Sequence, residues 1–226
     1  HMQNPAWGLH VICPEGDISN YLLETACNPE NRLTQRRIHI LKPASETHAF
    51  SIPLLHVPDR TPLACHKAAV RALSCFEQFL SFGSGEYGPR LSKLFQMGAF
   101  GLALLGAPLI ALPQGYARGA GCLRALIGDT IPYAFIADEL NALDALNERT
   151  FIEYRDSLFS RLMPIFGNEQ LRRVFGPQSP VDVAAILKQR EIVLLDLSGL
   201  EHRDAVLVGT SYISVFFHQA LERPAN

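Results

Sequence analysis

Cys13-Pro14-Glu15-Gly16-Asp17 is the stretch whose residue types and position best suit chemistry. It follows Gly8 to Cys13, an apolar run that reads as a short strand, so the turn falls at the carboxyl edge of a sheet. Ligands of open α/β sheets bind along that edge, and Glu15 and Asp17 would bring carboxylates to it. The same residues also make a plain strand-to-helix turn, with Asp17 capping the next helix. The residue types leave both readings open.

Other candidate motifs carry less. Gly83-Ser84-Gly85-Glu86-Tyr87-Gly88 has the G-x-G-x-x-G spacing. A dinucleotide fingerprint needs a strand before it, and this one follows a helical pattern, so it reads as a helix–helix loop. There is no Gly-Lys pair, hence no G-x-x-x-x-G-K-[ST] phosphate loop. There is no G-x-S-x-G to make a nucleophile of Ser84, Ser198 or Ser211. The histidines are scattered, with no two at i, i+4, and the cysteines at 13, 27, 65, 75 and 122 form no C-x-x-C. No metal centre is expected, and the odd, dispersed cysteines fit buried, reduced thiols in a cytoplasmic protein.

Two charged groups could face partners. Asp138, Glu139, Asp144, Glu148, Glu153 and Asp156 form an acidic tract on expected helices. It reads as a solvated face or as a docking surface for a basic partner. Arg161, Arg172 and Arg173 form a small basic cluster able to touch a phosphate backbone, although three arginines do not make a groove.

The elements that position these residues follow from hydrophobic period. Ile192 to Ser198 is apolar and branched apart from Asp196 and the closing Ser198, the pattern of a strand buried on both faces. Helical patterns flank it, from Ser179 to Gln189 and from about Ala205 to Arg223, and Asp182 is placed to cap the first. Arg37 to Leu41 is a further strand, and Ile18 to Cys27 a helix. From Thr61 the period becomes helical. Thr61-Pro62 opens a helix with Val70, Leu73, Phe76 and Leu80 on one face, and Pro89 opens another to about Leu105. Short helices are expected over 120–127 and 131–146. A longer one follows Asn147, with Phe151, Leu158, Leu162 and Ile165 in one stripe and Pro164 ending or kinking it near Met163. Asn168 to Phe175 is a short helix. The fold class is therefore α/β, mostly α by content: a small parallel sheet of three strands with a large all-helical insertion. The base occupies 3–60 and 179–226, and the insertion 61–178.

The totals agree. The 226 residues are 48% hydrophobic and 19% charged with net charge -2, enough for a sizeable core but with no electrostatic footprint for nucleic acid. The apolar run Met97 to Leu112 is 16 residues, short of the about 20 that cross a bilayer. A buried helix ending before Pro108 is expected, with no membrane insertion by this segment.

In order along the chain, these pieces resemble the HerA/FtsK-like motor ATPases, most closely the coupling proteins of type IV secretion that pump DNA in conjugation. Leu9-His10-Val11-Ile12-Cys13-Pro14-Glu15-Gly16-Asp17 is similar to their "D-P-x-G-[DE]" strand-turn, and Arg37 to Pro43 to their next strand. Tyr87-Gly88-Pro89-Arg90-Leu91 resembles the "W-G-P-R" helix start of their helical domain. Asn168 to Gly176 resembles "N-p-x-L-R-x-i-x-G", and Asp182 with Ile192 to Ser198 resembles "D... g-k-i-l-l-v-x-L-S". The departures are Cys13, where the family has an acidic residue, and the lack of both the phosphate loop and the Asp-Glu strand.

The resemblance implies a middle segment of a DNA-translocating ATPase, not catalytically competent alone. Pro14, Glu15, Gly16 and Asp17 would lie near the nucleotide, and the helical domain would face cargo or DNA. No cofactor is implied for this chain, whereas ATP and magnesium are for the parent. The implied partners are a protein cargo or relaxase-like protein, or DNA, and the implied parent is a hexamer, either cytoplasmic or membrane-associated. With two mid-sheet strands missing, the remaining strands are expected to keep unpaired edges, and so to self-associate through the sheet or to adopt a rearranged order that covers those edges. A non-enzymatic helical docking module and a small α/β enzyme of unknown type are the alternatives.

Near-neutral charge generates one expectation. Duplex DNA should bind weakly, with a shallow dependence on salt because few phosphates are neutralised. Submicromolar binding that persists at about 0.2 M salt in a fluorescence anisotropy titration would contradict it.

Overall fold

The computed structural model describes residues 8–28, 30, 37–81, 88–116, 138, 142–143, 145–177 and 179–222. The chain divides into two compact units, His1–Ile52 with Gln178–Asn226, and Pro53–Pro177.

In the first unit, β1 (Leu9–Cys13), β2 (Ile38–Leu41) and β3 (Ile192–Asp196) form a parallel sheet in the order β1-β3-β2. Leu9 to Cys13 pair with Ile192 to Asp196, and Ile38 to Leu41 with Ile192 to Leu195. The strand latest in sequence is therefore central, and every residue of it is buried. No gap is left in mid-sheet, because β3 pairs with the inner edges of both β1 and β2. The open edges are the outer sides of β1 and β2 among the described residues.

Alternation sorts β3 between two faces. Ile192 and Leu194 pack with Ala26, Leu22 and Leu23 of α1 (Asp17–Cys27) and with Leu9, Val11 and Ile38 of the flanking strands. On the other face lies α8 (His202–Leu221), whose Gly209 backbone comes close to Leu197 and Ile12. α7 (Val183–Gln189) packs on α8, and the Asp182 carboxylate caps it by accepting from Ala185 N–H at 2.8 Å. Each aliphatic side chain buried in β3 contributes roughly 1.5–3 kcal/mol.

Where the chain leaves this unit and returns to it, one backbone clasp forms. Ser51 bridges Pro180 in parallel, with Val181 N–H donating to Ser51 O at 2.9 Å and Ser51 N–H to Ser179 O at 3.1 Å.

The second unit is helical among its described residues. α2 (Pro62–Ser81) starts at Thr61, whose carbonyl accepts from Cys65 N–H at 2.9 Å. Its buried stripe is Cys65, Ala68, Ala69, Ala72, Cys75 and Phe76; of the expected face Phe76 is buried, but Val70 is exposed and Leu73 half-buried, and the Leu80 side chain lies outside the described residues. Small side chains win that face because they let α3 (Pro89–Leu105) approach closely, with Phe76 and Phe95 rings 5.1 Å apart. Gly88 is the N-cap of α3, and the rest of the Gly83–Gly88 loop lies outside the described residues, as does nearly all of 117–146.

As expected, α3 is a buried helix that stops before Pro108. A 3-10 turn (Leu109–Ala111) and α4 (Leu112–Gly115) follow. Among the described residues no single helix is long and apolar enough to cross a membrane. α3 and the segment after it pass such a test only as a pair bent by 120°.

α5 (Glu148–Phe166) is capped by Asn147 and buries Phe151, Leu158, Leu162 and Ile165, the expected stripe. Pro164 does not end it at Met163. The helix runs on to Phe166 because a proline this near the end removes one hydrogen bond, and burial of Leu162 and Ile165 outweighs it. α6 (Glu169–Val174) is capped by Asn168. None of the four described cysteines is in a disulfide; Cys13, Cys65 and Cys75 are buried, whereas Cys27 is exposed, contrary to expectation.

α3 ends on Gly106 at φ +68, where a Cβ would lie 2.3 Å from the Arg60 guanidinium. Gly106→Ala should cost about 1–2 kcal/mol, mostly from the left-handed backbone. Because the guanidinium sits on a flexible side chain, Arg60→Ala should recover little of that. Urea denaturation followed by helical circular dichroism checks both, and a loss under about 0.3 kcal/mol would contradict the first.

Candidate functional site

Parallel strands deliver their loops to a common edge, and here the carboxyl edge gathers residues following Cys13, Leu41 and Asp196. Asp196 is the one charged residue in β3, is 5% exposed, and follows Ile192 and Leu194 on the α1 face. Its carboxylate accepts from Lys42 Nζ at 2.9 Å and from Ser198 N–H at 2.9 Å. Lys42 Nζ also donates to Ser198 Oγ at 3.2 Å. Desolvation pushes the Asp196 pKa upward, but hydrogen bonds from the Ser198 side chain, Lys42 and the Ser198 N–H, with the Lys42 charge, outweigh it and leave the pKa lowered.

The loop after β1 lies on this cluster. A Cβ on Gly16 would be 3.0 Å from Ser198 Oγ, so the missing side chain is what lets the two loops approach. Leu197 N–H donates to Cys13 O at 2.8 Å, carrying the β1–β3 pairing one step past the strand. α1 begins here as well. Gly16 is its N-cap, with αR backbone and no side-chain cap, and Asn20 N–H donates to Gly16 O at 3.0 Å.

The arrangement has the charge and donors to meet an anion and lacks the base a nucleophilic serine needs. An ammonium that donates to Ser198 and to a carboxylate cannot serve as the base for Ser198. Lys42, its side chain 42% exposed, presents positive charge at the edge, and the first-turn N–H groups of α1 add donors of the kind that meet anions. Among the described residues no three His, Cys, Asp or Glu side chains converge as metal ligands.

The residues singled out from sequence fare unequally. Pro14, Glu15, Gly16 and Asp17 do form the turn at the edge, but Glu15 and Asp17 are exposed. Asp17 is the first residue of α1 and not its cap, because Gly16 takes that position. The carboxylate seated in the edge is Asp196, which sequence reasoning passed over together with Lys42, weighing Ser198 only as a nucleophile. The available signal was an acid inside an otherwise apolar strand and a lysine just past another.

In the helical unit, Arg173 pairs with Glu169, Arg172 is exposed and Arg161 half-buried. Asp138, Glu148, Glu153 and Asp156 are exposed, while Glu139 and Asp144 lie outside the described residues. Glu153 pairs with Arg149 at 3.1 Å and Asp156 with Arg155 at 2.9 Å, so part of the acidic tract is neutralised locally.

No family model, curated protein or solved structure matches this chain.

The Lys42–Asp196 pair yields a stability test. Lys42→Met strips a nearly buried carboxylate of its counter-charge and should cost about 1–2 kcal/mol at pH 7, less than for a fully enclosed pair because Lys42 meets solvent. Combining it with Asp196→Leu should recover most of that loss. A lowered carboxylate pKa stabilises above the ordinary range, and that stability is lost as pH falls through the folded-state value. The Lys42→Met defect should therefore shrink in acid. Urea unfolding of the three proteins at pH 7 and about pH 3 reads these differences.

Proposed function

We propose that this chain is a segment of a HerA/FtsK-like motor ATPase, closest to the coupling proteins of type IV secretion. Its helical unit would face protein cargo or DNA, and it would not turn over ATP alone. One observation carries the reading: a compact helical unit interrupts a parallel sheet between its second and third strands, the place the quoted motifs give the family's helical domain.

The carboxyl edge adds support. The turn Pro14 to Asp17 lies on Ser198 beside Lys42, and these groups suit the flank of a bound phosphate. Phosphoryl transfer needs more, namely backbone donors and a lysine around the β- and γ-phosphates and a held metal. The sequence has no phosphate-loop motif to supply them, so ATP, magnesium and the hexamer belong to the parent in this reading. The docking-module alternative loses ground because Arg149 and Arg155 answer part of the acidic tract.

Two measurements test the proposal. The purified chain should show no magnesium-dependent ATP turnover; turnover abolished by Lys42→Met or Asp17→Ala would identify a self-contained enzyme instead. Weak single-stranded DNA binding should protect amides within 53–177 and weaken severalfold on Arg172→Glu. Protection confined to the sheet unit would count against a DNA-facing insertion.

A further inference from the structure

On the face of the sheet turned to α8, His10 of β1 and His39 of β2 flank Val193 of β3. Their surroundings are opposite. His39 Nε2 is 2.6 Å from Glu191 Oε2, and Arg37 is 4.0 Å from the other oxygen of that carboxylate. His10 has no such counter-charge among the described residues. Its Nδ1 is 2.6 Å from the Tyr212 hydroxyl, its ring centroid is 4.5 Å from that of Phe216, and its Nε2 is buried with no hydrogen-bond partner. Either neutral tautomer keeps the Tyr212 bond. An imidazolium would add a buried N–H without an acceptor, and the Phe216 ring recovers only part of that cost.

The titratable groups around His10 do not favour its charge. Tyr212 from α8 stays protonated, since burial raises its pKa. His39 from β2 disfavours a second cation. Ile192, Val193 and Leu194 of β3 cannot titrate, and on α8 His218 pairs with Glu222 beyond Phe216.

We propose that His10 is a proton-sensitive latch: the neutral imidazole holds α8 on the sheet through Tyr212 and Phe216, and protonation releases α8 while the strands stay paired. Burial, and secondarily the charge of His39, lower the His10 pKa from 6.5 to about 4. The released state binds the proton more readily, so its population rises as pH falls from 6.5 toward 4, by at most about tenfold per pH unit for one proton. Partial solvent access at His10 reduces this. Release would uncover Tyr212, Val215 and Phe216 beside Ile213, Phe217 and Leu221, which are already exposed, turning a packed helix into an apolar strip.

Hydrogen exchange of the full chain between pH 7 and pH 4, corrected for intrinsic rates, tests the latch. Protection across 205–218 should fall by about a hundredfold while β3 keeps its own. His10→Leu with Tyr212→Phe removes the titrating group and leaves no hydroxyl alone, and α8 should then stay protected in acid. Simultaneous loss in α8 and β3, or an unchanged acid response in the double variant, overturns the proposal. NMR titration of the wild-type His10 imidazole is independent of that variant's folding: a midpoint below about 5 supports the latch, and one at or above about 6.5 overturns it.

Discussion

Every backbone polar group of a strand buried on both faces must find a partner within the sheet, and β3 meets that demand through two parallel neighbours. The rest of the first unit depends on this. β1 and β2 do not pair with each other, so β3 alone joins them, and α1 and α8 cover the faces it presents. The same centrality explains the polar cluster. A carboxylate at the end of a fully enclosed strand cannot reach bulk water freely, so Lys42 and Ser198 must satisfy it where it emerges.

The chemistry of the sheet is divided between its ends. At the carboxyl edge a lysine, a carboxylate and a hydroxyl bond one another and remain partly open to solvent. Toward the amino end lie Glu191 and the two histidines, with one imidazole paired and the other walled by aromatic rings. At the carboxyl edge the Lys42 charge reaches solvent, whereas around His10 the neighbours are the Tyr212 hydroxyl and the Phe216 ring.

Much of the fold was legible because its signals are local. Ile192 to Leu195 announced itself by an unbroken apolar run, the α5 stripe by period, and α5 and α7 by Asn147 and Asp182 at their caps. Non-local features were not legible. Strand order is set by which edges meet in space, and no residue of β3 states that both its sides will be used. The α2 stripe misled because Val70 and Leu73 are larger and more apolar than Ala68 and Ala72, whereas close helix packing rewards the smaller set. Lys42 and Asp196 are too far apart in sequence for any spacing rule, and Asp17 looked like a cap because the backbone conformation of Gly16 is invisible in a string of letters.

The clasp of Ser51 with Pro180 has a consequence for the order in which the protein is made. A ribosome releases β1, α1 and β2 early, yet the strand that joins them emerges only after the whole helical unit. Until then both strands wait with inner edges bare. Closing so long a loop costs about 4 kcal/mol in chain entropy if it is slack. A helical unit that has already compacted shortens the gap that the returning chain must span. Timing thus falls to the insertion: folded in time, it hands the last strand to its neighbours, and delayed, it leaves two β-edges open to any other nascent chain nearby.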